Sequence, residues 1–517
     1  MMTVTDATQQ TSQTALSMNI EHAQVVANTV RSTLGPKGLD KMLTDAGGRV
    51  TITNDGATIL RNVNWVSPIA KKIVEVARTQ EEQCYDGTTT AIILTAELLK
   101  KANLLLESGV HPTTIVEGYR NASLKGKELL TKMTIDPNEE RLLSIAKTAM
   151  TGKSAEGERD HLARLCLEVI EASRPEAVHI MTRTGSPISE SFSPNGIVVG
   201  RQKIHSAMDT ELTHVKVALI DGGLELEGFG QGVNLNLQSY GESVEYQKGR
   251  KDALKDMADH LIGLGANLVL VTKNIDPWIA EYLARNNVVA SRRCAASNLE
   301  AVAQATNGLI VSGHEDLEEN DLGVAGRMEE ILQEGQPPFM LLHDTPNDDA
   351  SSLVICAPTE EVANEIRRAM DDAMGVVWVA KNSKKIVPGG GAPQVAMANS
   401  LRTYAASVGG RESLAVSAFA EALEIVPRTL AENAGLSPID TLMDLRKAHS
   451  NSDGKTSSMS YGLNVYTGEV VDMLSEGVIE PEKVVRQAME SATETAVMVL
   501  RIDDIISAKE PEIEDMM

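Results

Sequence analysis

Aromatic residues are scarce in this 517-residue chain, at 3%. Its cores must therefore be filled by Leu, Val, Ile, Ala and the 21 methionines. The four cysteines, Cys84, Cys166, Cys294 and Cys356, form no Cys-x-x-Cys pair, and the ten histidines show no metal spacing against them. This excludes a disulfide scaffold or a zinc site and predicts indifferent thiols in a reducing compartment. Basic residues are outnumbered 48 to 72, for a net charge of −24. So acidic a surface repels phosphate backbones and anionic lipid, so neither nucleic acid nor membrane is an expected partner. No apolar run reaches the roughly 18 residues a transmembrane helix needs, and Met1 to Ser17 lacks the basic stretch and apolar core of a signal peptide. The expected location is the cytoplasm.

Familiar enzyme motifs are also missing. Gly152-Lys153-Ser154 ends like a phosphate-binding P-loop, but Lys147 stands where the first glycine belongs. Gly228-Phe229-Gly230-Gln231-Gly232 lacks the six-residue spacing and preceding strand of a dinucleotide loop, and reads as a flexible loop.

The length implies two or three domains. Ile20, Ala23, Ala27, Val30 and Leu34 recur at helical spacing over 19–34, and Gly35-Pro36 ends that helix. Lys41 to Thr44 and Arg49 to Thr53, joined through Ala46-Gly47-Gly48, read as a hairpin. Ser67-Pro68 starts a further helix, and Thr88 to Leu106 is apolar all round, hence buried within a helical domain. After about residue 205 strands and helices alternate: strands at 215–220, 267–272, 288–290 and 309–311, helices at 244–264, 276–285 and 297–305. That pattern predicts an inserted α/β domain. Helices return at 361–379, 391–450 and 480–500, while Val497 to Ile506 reads as an edge strand.

Two loops stand out. Asp86-Gly87-Thr88-Thr89-Thr90 opens the long apolar helix, and Thr33-Leu34-Gly35-Pro36-Lys37-Gly38 precedes it by some fifty residues. A small-residue turn feeding a helix start aims unpaired N–H groups at one point, backed by the helix dipole. Three hydroxyls and a carboxylate at that point suit phosphates with a magnesium ion. Asp86 alone could simply cap the helix, and Asp55 in Asn54-Asp55-Gly56 could serve only its own turn; together the loops favour a nucleotide.

The same segments resemble those of the chaperonins, most closely the group II type of the archaeal thermosome and its eukaryotic cytosolic relative. Thr33 to Leu43, Thr53 to Thr58, Asp86 to Thr90, Thr151-Gly152-Lys153, Pro388 to Ala392, Gly462 to Val465 and Ile479-Glu480-Pro481 fall in the family's order. The resemblance spans residues 19 to 506 and implies a multidomain α+β fold. A mainly helical equatorial domain would take 1–140 and 391–517, a small α/β intermediate domain 141–208 and 353–390, and an inserted α/β apical domain 209–352. It further implies an ATP hydrolase with ATP and Mg2+ as cofactors. Non-native polypeptides and other chaperonin subunits, in a homo- or hetero-oligomeric double ring, would be its partners.

By that resemblance ATP would be held by Thr33, Leu34, Gly35, Pro36, Asp86, Gly87, Thr88, Thr89, Thr90, Gly389, Gly390, Asn464 and Glu480. Lys153 would reach the terminal phosphate, unless it is only a surface lysine. Asp86 would bind magnesium, and Asp55 and Asp372 would act on the attacking water. Gly389 lies 17 residues beyond Asp372, the family's spacing, and the buried face of Met370, Ala373, Met374 and Val377 leaves Asp371 exposed. Unfolded chains would bind the apical segment, where Tyr240, Val244 and Tyr246 are candidates; Trp278 and Tyr282, four apart, are candidates or core.

Several features depart from the family pattern and suggest a divergent paralogue. Tyr85 stands where glycine usually precedes Asp-Gly-Thr-Thr-Thr and would be strained if φ is positive. Cys356-Ala357-Pro358-Thr359 replaces a glycine pair, 510–517 lacks Gly-Gly-Met repeats, and the loop near Asn236 to Gly249 matches the lid extension poorly. The rival function is therefore a ring subunit that holds non-native chains with weak or no ATPase.

Overall fold

The computed structural model describes residues 8–507 apart from 11, 45–46, 49, 153–155, 227–239, 333–334, 348, 451–458 and 504. At its centre runs the helix Thr88–Glu107, whose Ala91 to Leu99 and Ala102 are buried. It packs against the helices Ser12–Arg31, Pro68–Cys84, Gly410–Leu423 and Glu482–Leu500. With neighbours on every side it has no polar face to spare, which is why its sequence is apolar all round. The core around it is built of Ile, Leu, Val and Ala, with Tyr119 and Phe419 meeting edge to face at 5.6 Å.

Contacts divide the chain into two compact units, Met1–Ala163 with Arg368–Met517, and Arg164–Arg367. The first is the helical one and carries four small two-stranded sheets. The expected hairpin is present, Lys41–Thr44 against Val50–Thr53 with Lys41 opposite Thr53. Two further pairs, Ile386–Pro388 with Ile479–Pro481 and Tyr461–Leu463 with Val470–Asp472, bring late chain segments together.

Two local expectations are corrected here. Val497 to Leu500 is not strand: Val485, Ala488, Ala492, Ala496 and Val499 recur with the helical period, and the run completes the helix Glu482–Leu500. Only Ile505–Ser507 is extended, antiparallel to Thr8–Gln10. Asn54-Asp55-Gly56 is not a free-standing turn either. Asp55, at φ −69 and ψ 116, is the N-cap of the helix Gly56–Asn62.

The second unit holds a mixed sheet. Its strands run in the order Ile197–Val199, Phe339–His343, Gly323–Ile331, Glu211–Ile220, Leu268–Val271, Val289–Ser291, with Ile310–Val311 also on Glu211–Ile220. Leu268–Val271, Val289–Ser291 and Ile310–Val311 are parallel to the strands they pair with, while Glu211–Ile220 is antiparallel to Gly323–Ile331. Leu268–Val271 is buried at every position, as a strand covered by helices on both faces must be. The helices Tyr240–Gly263, Pro277–Arg285 and Ala296–Thr306 make the crossovers and share its core. Val178–Thr184 and Ser351–Ala357 form a separate parallel pair. This is the alternating segment read from the sequence.

Candidate nucleotide site

A cavity of about 640 Å³ opens in the helical unit. That volume lies within the range of small-molecule sites. Its wall contains Thr33 to Pro36, Asn54 to Gly56, Tyr85 to Thr90, Asp372, Gly389 to Gly391, Leu463 to Tyr466 and Glu476 to Glu480. Every candidate residue named from the sequence is in this wall except Lys153, which lies outside the described residues. Segments separated by more than 400 residues thus converge on one space. Asp371, beside Asp372, is exposed and not part of the wall.

Two helices begin at the cavity without a side-chain cap. Gly87, at φ 82, precedes Thr88–Glu107, and Gly391, at φ 79, precedes Ala392–Val408; neither N-terminus donates to a capping side chain. Both conformations are left-handed and favour glycine. At the second helix Ala392 N–H donates to Gly389 O at 3.1 Å and Pro393 has no N–H, so it is chiefly the first turn of Thr88–Glu107 that offers its N–H groups to a ligand, where the dipole favours an anion. Asp86 does not cap: its Oδ1 accepts the N–H of Gly87 at 2.6 Å. Asp55 does, accepting Ala57 N at 3.2 Å and Thr58 N at 2.9 Å, so its carboxylate is held rigidly at the cavity edge.

The other candidates are likewise fixed by their neighbours. The Thr33 hydroxyl donates to Val30 O at 2.8 Å. Asn464 uses Oδ1 to accept Tyr466 N and Thr467 N, an Asx turn, and donates Nδ2 to Glu476 at 3.4 Å. Gly390 accepts Leu463 N at 2.9 Å, and Gly389 donates to Val478 O at 2.8 Å. Glu480, half-buried in the strand Ile479–Pro481, has its carboxyl pushed up to about 8, first by desolvation and then by the negative charge of Asp86.

Sequence reasoning missed several residues of the site. Asn433 donates to Arg31 O at 3.0 Å and Leu34 O at 2.9 Å, pinning the Gly35-Pro36 loop. Fully buried Gln80 donates to Asp86 O at 2.8 Å and Val484 O at 3.2 Å. Arg159 lines the cavity and donates to the Thr151 hydroxyl at 3.1 Å, while its Nε is buried without a partner. Gln394 Oε1, also in the wall, is another buried atom without one. Tyr466 carries Lys37 over its ring at 4.9 Å, linking two loops of the wall. Asn433, Gln80 and Tyr466 have no local signature, because each also acts on chain hundreds of residues away.

The donor set fits a magnesium nucleotide. Open helix N-termini and a buried Arg159 Nε suit phosphate oxygens, and the Asp86 carboxylate in the same wall suits a cation. Among the described residues no helix is long and apolar enough to cross a membrane.

A family model for the TCP-1/cpn60 chaperonin family matches residues 26–510. Thermosome subunit 1 of Haloferax volcanii is 43% identical over 512 residues, covering 97% of this chain and 90% of that protein. Thermosome subunit beta of Methanothermobacter thermautotrophicus and a thermosome subunit of Methanocaldococcus jannaschii are each 41% identical, over 96% of this chain and 92% of theirs. The chain belongs to the TCP-1/cpn60 chaperonin family, as a group II subunit.

Proposed function

We propose that this chain is an ATP-hydrolysing subunit of a double-ring chaperonin, binding non-native polypeptide and enclosing it in a cycle driven by ATP. The observation that carries the reading is the convergence of Asp55, Asp86 and Asp372 with two uncapped helix N-termini on one cavity. Phosphates would be bound by the amides of Thr88 to Thr90 and of Gly390 and Gly391, with the Thr88, Thr89 and Thr90 hydroxyls beside them. Mg2+, held by Asp86, would neutralise charge on the phosphates. Asp55, locked by its two cap bonds, and Asp372, on the facing helix, would orient the attacking water and accept its proton. Arg159, and by the family resemblance Lys153, would meet the terminal phosphate. Asn464 and Glu480 would hold the base and ribose; a protonated Glu480 can donate to a ribose hydroxyl. A five-segment division, equatorial 1–140 and 391–517, intermediate 141–208 and 353–390, apical 209–352, accompanies this reading.

Ring assembly has its own support. The hairpin Lys41–Thr53 exposes Met42, Val50 and Ile52 on a two-stranded sheet with open edges. An exposed apolar edge is a liability unless a neighbouring chain covers it. The relatives' names, as thermosome subunits, point the same way. Holding without turnover is not favoured, since Asp55, Asp86 and Asp372, the three carboxylates assigned to the metal and the water, all line the cavity. Steady-state phosphate release by the purified assembly, with and without magnesium, tests the reading; a nucleotide-binding particle with no turnover would reverse it.

A further inference from the structure

Gly375 lies inside the helix Glu360–Ser383, where glycine is a poor helix former. Its neighbour explains it. A Cβ built on Gly375 would fall inside the ring of Tyr85. The ring therefore occupies the space that any side chain at position 375 would need. Tyr85 ends the helix Pro68–Cys84 at φ 59 and ψ −1, donating its N–H to Glu81 O at 2.9 Å. This is the left-handed region, uncommon for a bulky residue. A strained backbone and a side-chain-free helix position meet at one contact.

That contact joins two parts of the candidate site. Tyr85 immediately precedes Asp86. Gly375 follows Asp372 by three residues, and Asp372 and Val376 both face the nucleotide cavity. Positions three and four apart share a helix face, so the face that presents Asp372 also receives the ring. Tyr85 lines the nucleotide cavity on one side and, on the other, a second cavity of about 370 Å³ with Trp378 and Val379.

We propose that Tyr85 is a positioning residue: its ring, seated on Gly375, sets the placement of the Asp372 helix against the Asp86 loop. The proposal rests on the reading that this cavity hydrolyses ATP. It reverses the simpler expectation for a strained tyrosine, in which the ring only obstructs. A ring with a matched recess is a spacer, and removing it frees the helix to shift. A shift of about 1 Å at a catalytic group costs on the order of 100-fold in rate.

The test is a size swap in the full-length assembled protein. Tyr85→Gly empties the recess, Gly375→Leu fills it against the ring, and Tyr85→Gly/Gly375→Leu exchanges the two. Each single variant is expected to lose about tenfold or more in kcat while the ATP KM stays within about threefold, because the change acts through the placement of Asp372, which is assigned to the water and not to binding of the nucleotide. The double variant is expected to recover most of the loss. Should Gly375→Leu fail to assemble, Gly375→Ala takes its place, since one Cβ already overlaps the ring. Tyr85→Gly turning over as fast as wild type or faster overturns the proposal, and so does a double variant no better than the worse single. A wild type with no magnesium-dependent turnover overturns the ATPase reading, and this inference with it; normal wild-type turnover with unaffected variants overturns this inference alone.

Discussion

Asn433 donates its side-chain amide to the carbonyl of Leu34 at 2.9 Å, across 399 residues of sequence. The Leu34 carbonyl sits where the first helix has ended and Gly35 turns the chain, so no helical N–H can reach it. Gln80 does the same for Asp86, donating to its carbonyl at 2.8 Å from within the preceding helix. Two amides thus fix the two loops proposed to hold the phosphates.

Asn433→Ala is expected to weaken ATP binding without removing any proposed ligand of the nucleotide. Leaving a buried carbonyl unpaired costs about 1–3 kcal/mol, and a loop loosened by that much loses about five- to a hundredfold in affinity. Titration calorimetry with the nucleotide reads the loss directly. An unchanged affinity would mean that the loop holds its shape without the amide.

Asp86→Ala is expected to abolish magnesium-dependent hydrolysis, because its carboxylate is the one proposed to hold the ion. Phosphate release across a magnesium titration decides the matter. A variant within about twofold of wild type, well under 1 kcal/mol of barrier, would remove Asp86 from the metal role.

Asp55 needs two substitutions, since its carboxylate also caps a helix. Asp55→Asn keeps the cap and loses the charge; it should slow turnover by about 10²–10⁴-fold with little change in Tm. Asp55→Ala should do the same and cost about 1 kcal/mol of stability besides. Asp372→Ala should match Asp55→Asn in rate with ATP still bound. If exposed Asp371→Ala is the slow variant instead, the catalytic position is one residue earlier on the helix.

The raised Glu480 gives a pH signature. Its carboxyl titrates near 8 in the folded protein against 4.5 ordinarily, so between those values the folded state holds a proton that the unfolded state has released. Stability from this group is present below about pH 4.5 and lost as pH rises towards 8. Nucleotide-free Tm should therefore fall over that window, and Glu480→Gln should flatten the part due to this group. A Glu480→Gln profile parallel to wild type would show the carboxyl titrating in its ordinary range.

Much of this was legible in the sequence, and the remainder divides by cause. Thr88–Glu107 could be read because burial on all sides leaves its trace at every position. The strands and helices of 211–311 could be read because parallel strands and their crossovers alternate in hydrophobic character. Asn54-Asp55-Gly56 reads as a tight turn around a catalytic carboxylate since Asn-Asp-Gly suits a turn and a cap equally; only the chain after Gly56 separates them. Val497 to Leu500 read as strand because four apolar residues fit either period, and the deciding neighbours lie earlier, at Val485 to Ala496. Asn433 and Gln80 left no trace, since an amide acting on remote chain has no spacing to betray it.

Client binding is expected to map to 209–352, and within it to one helix. Trp278 and Tyr282 stack at 5.1 Å and pack on the unit's core, with the Tyr282 hydroxyl donating to Asp259 at 2.8 Å and Lys251 over the Trp278 ring at 5.7 Å. They are occupied in holding the helices Pro277–Arg285 and Tyr240–Gly263 together. Val244 and Tyr246 on the latter helix are exposed, at 50% and 38%; the Tyr240 side chain lies outside the described residues. Unfolded chains offer apolar side chains, so exposed aliphatic and aromatic groups are where contact gains most. A photo-cross-linker at Val244 or Tyr246 should capture a denatured client on the nucleotide-free particle, and one at Tyr282 should capture little. Val244→Ser with Tyr246→Ser should weaken capture by about tenfold or more for each side chain that client contact fully buries, at about 1.5–3 kcal/mol apiece, while leaving ATP turnover unchanged. Adducts concentrated below residue 140 or above 390 would show that the inserted segment is not the receptor.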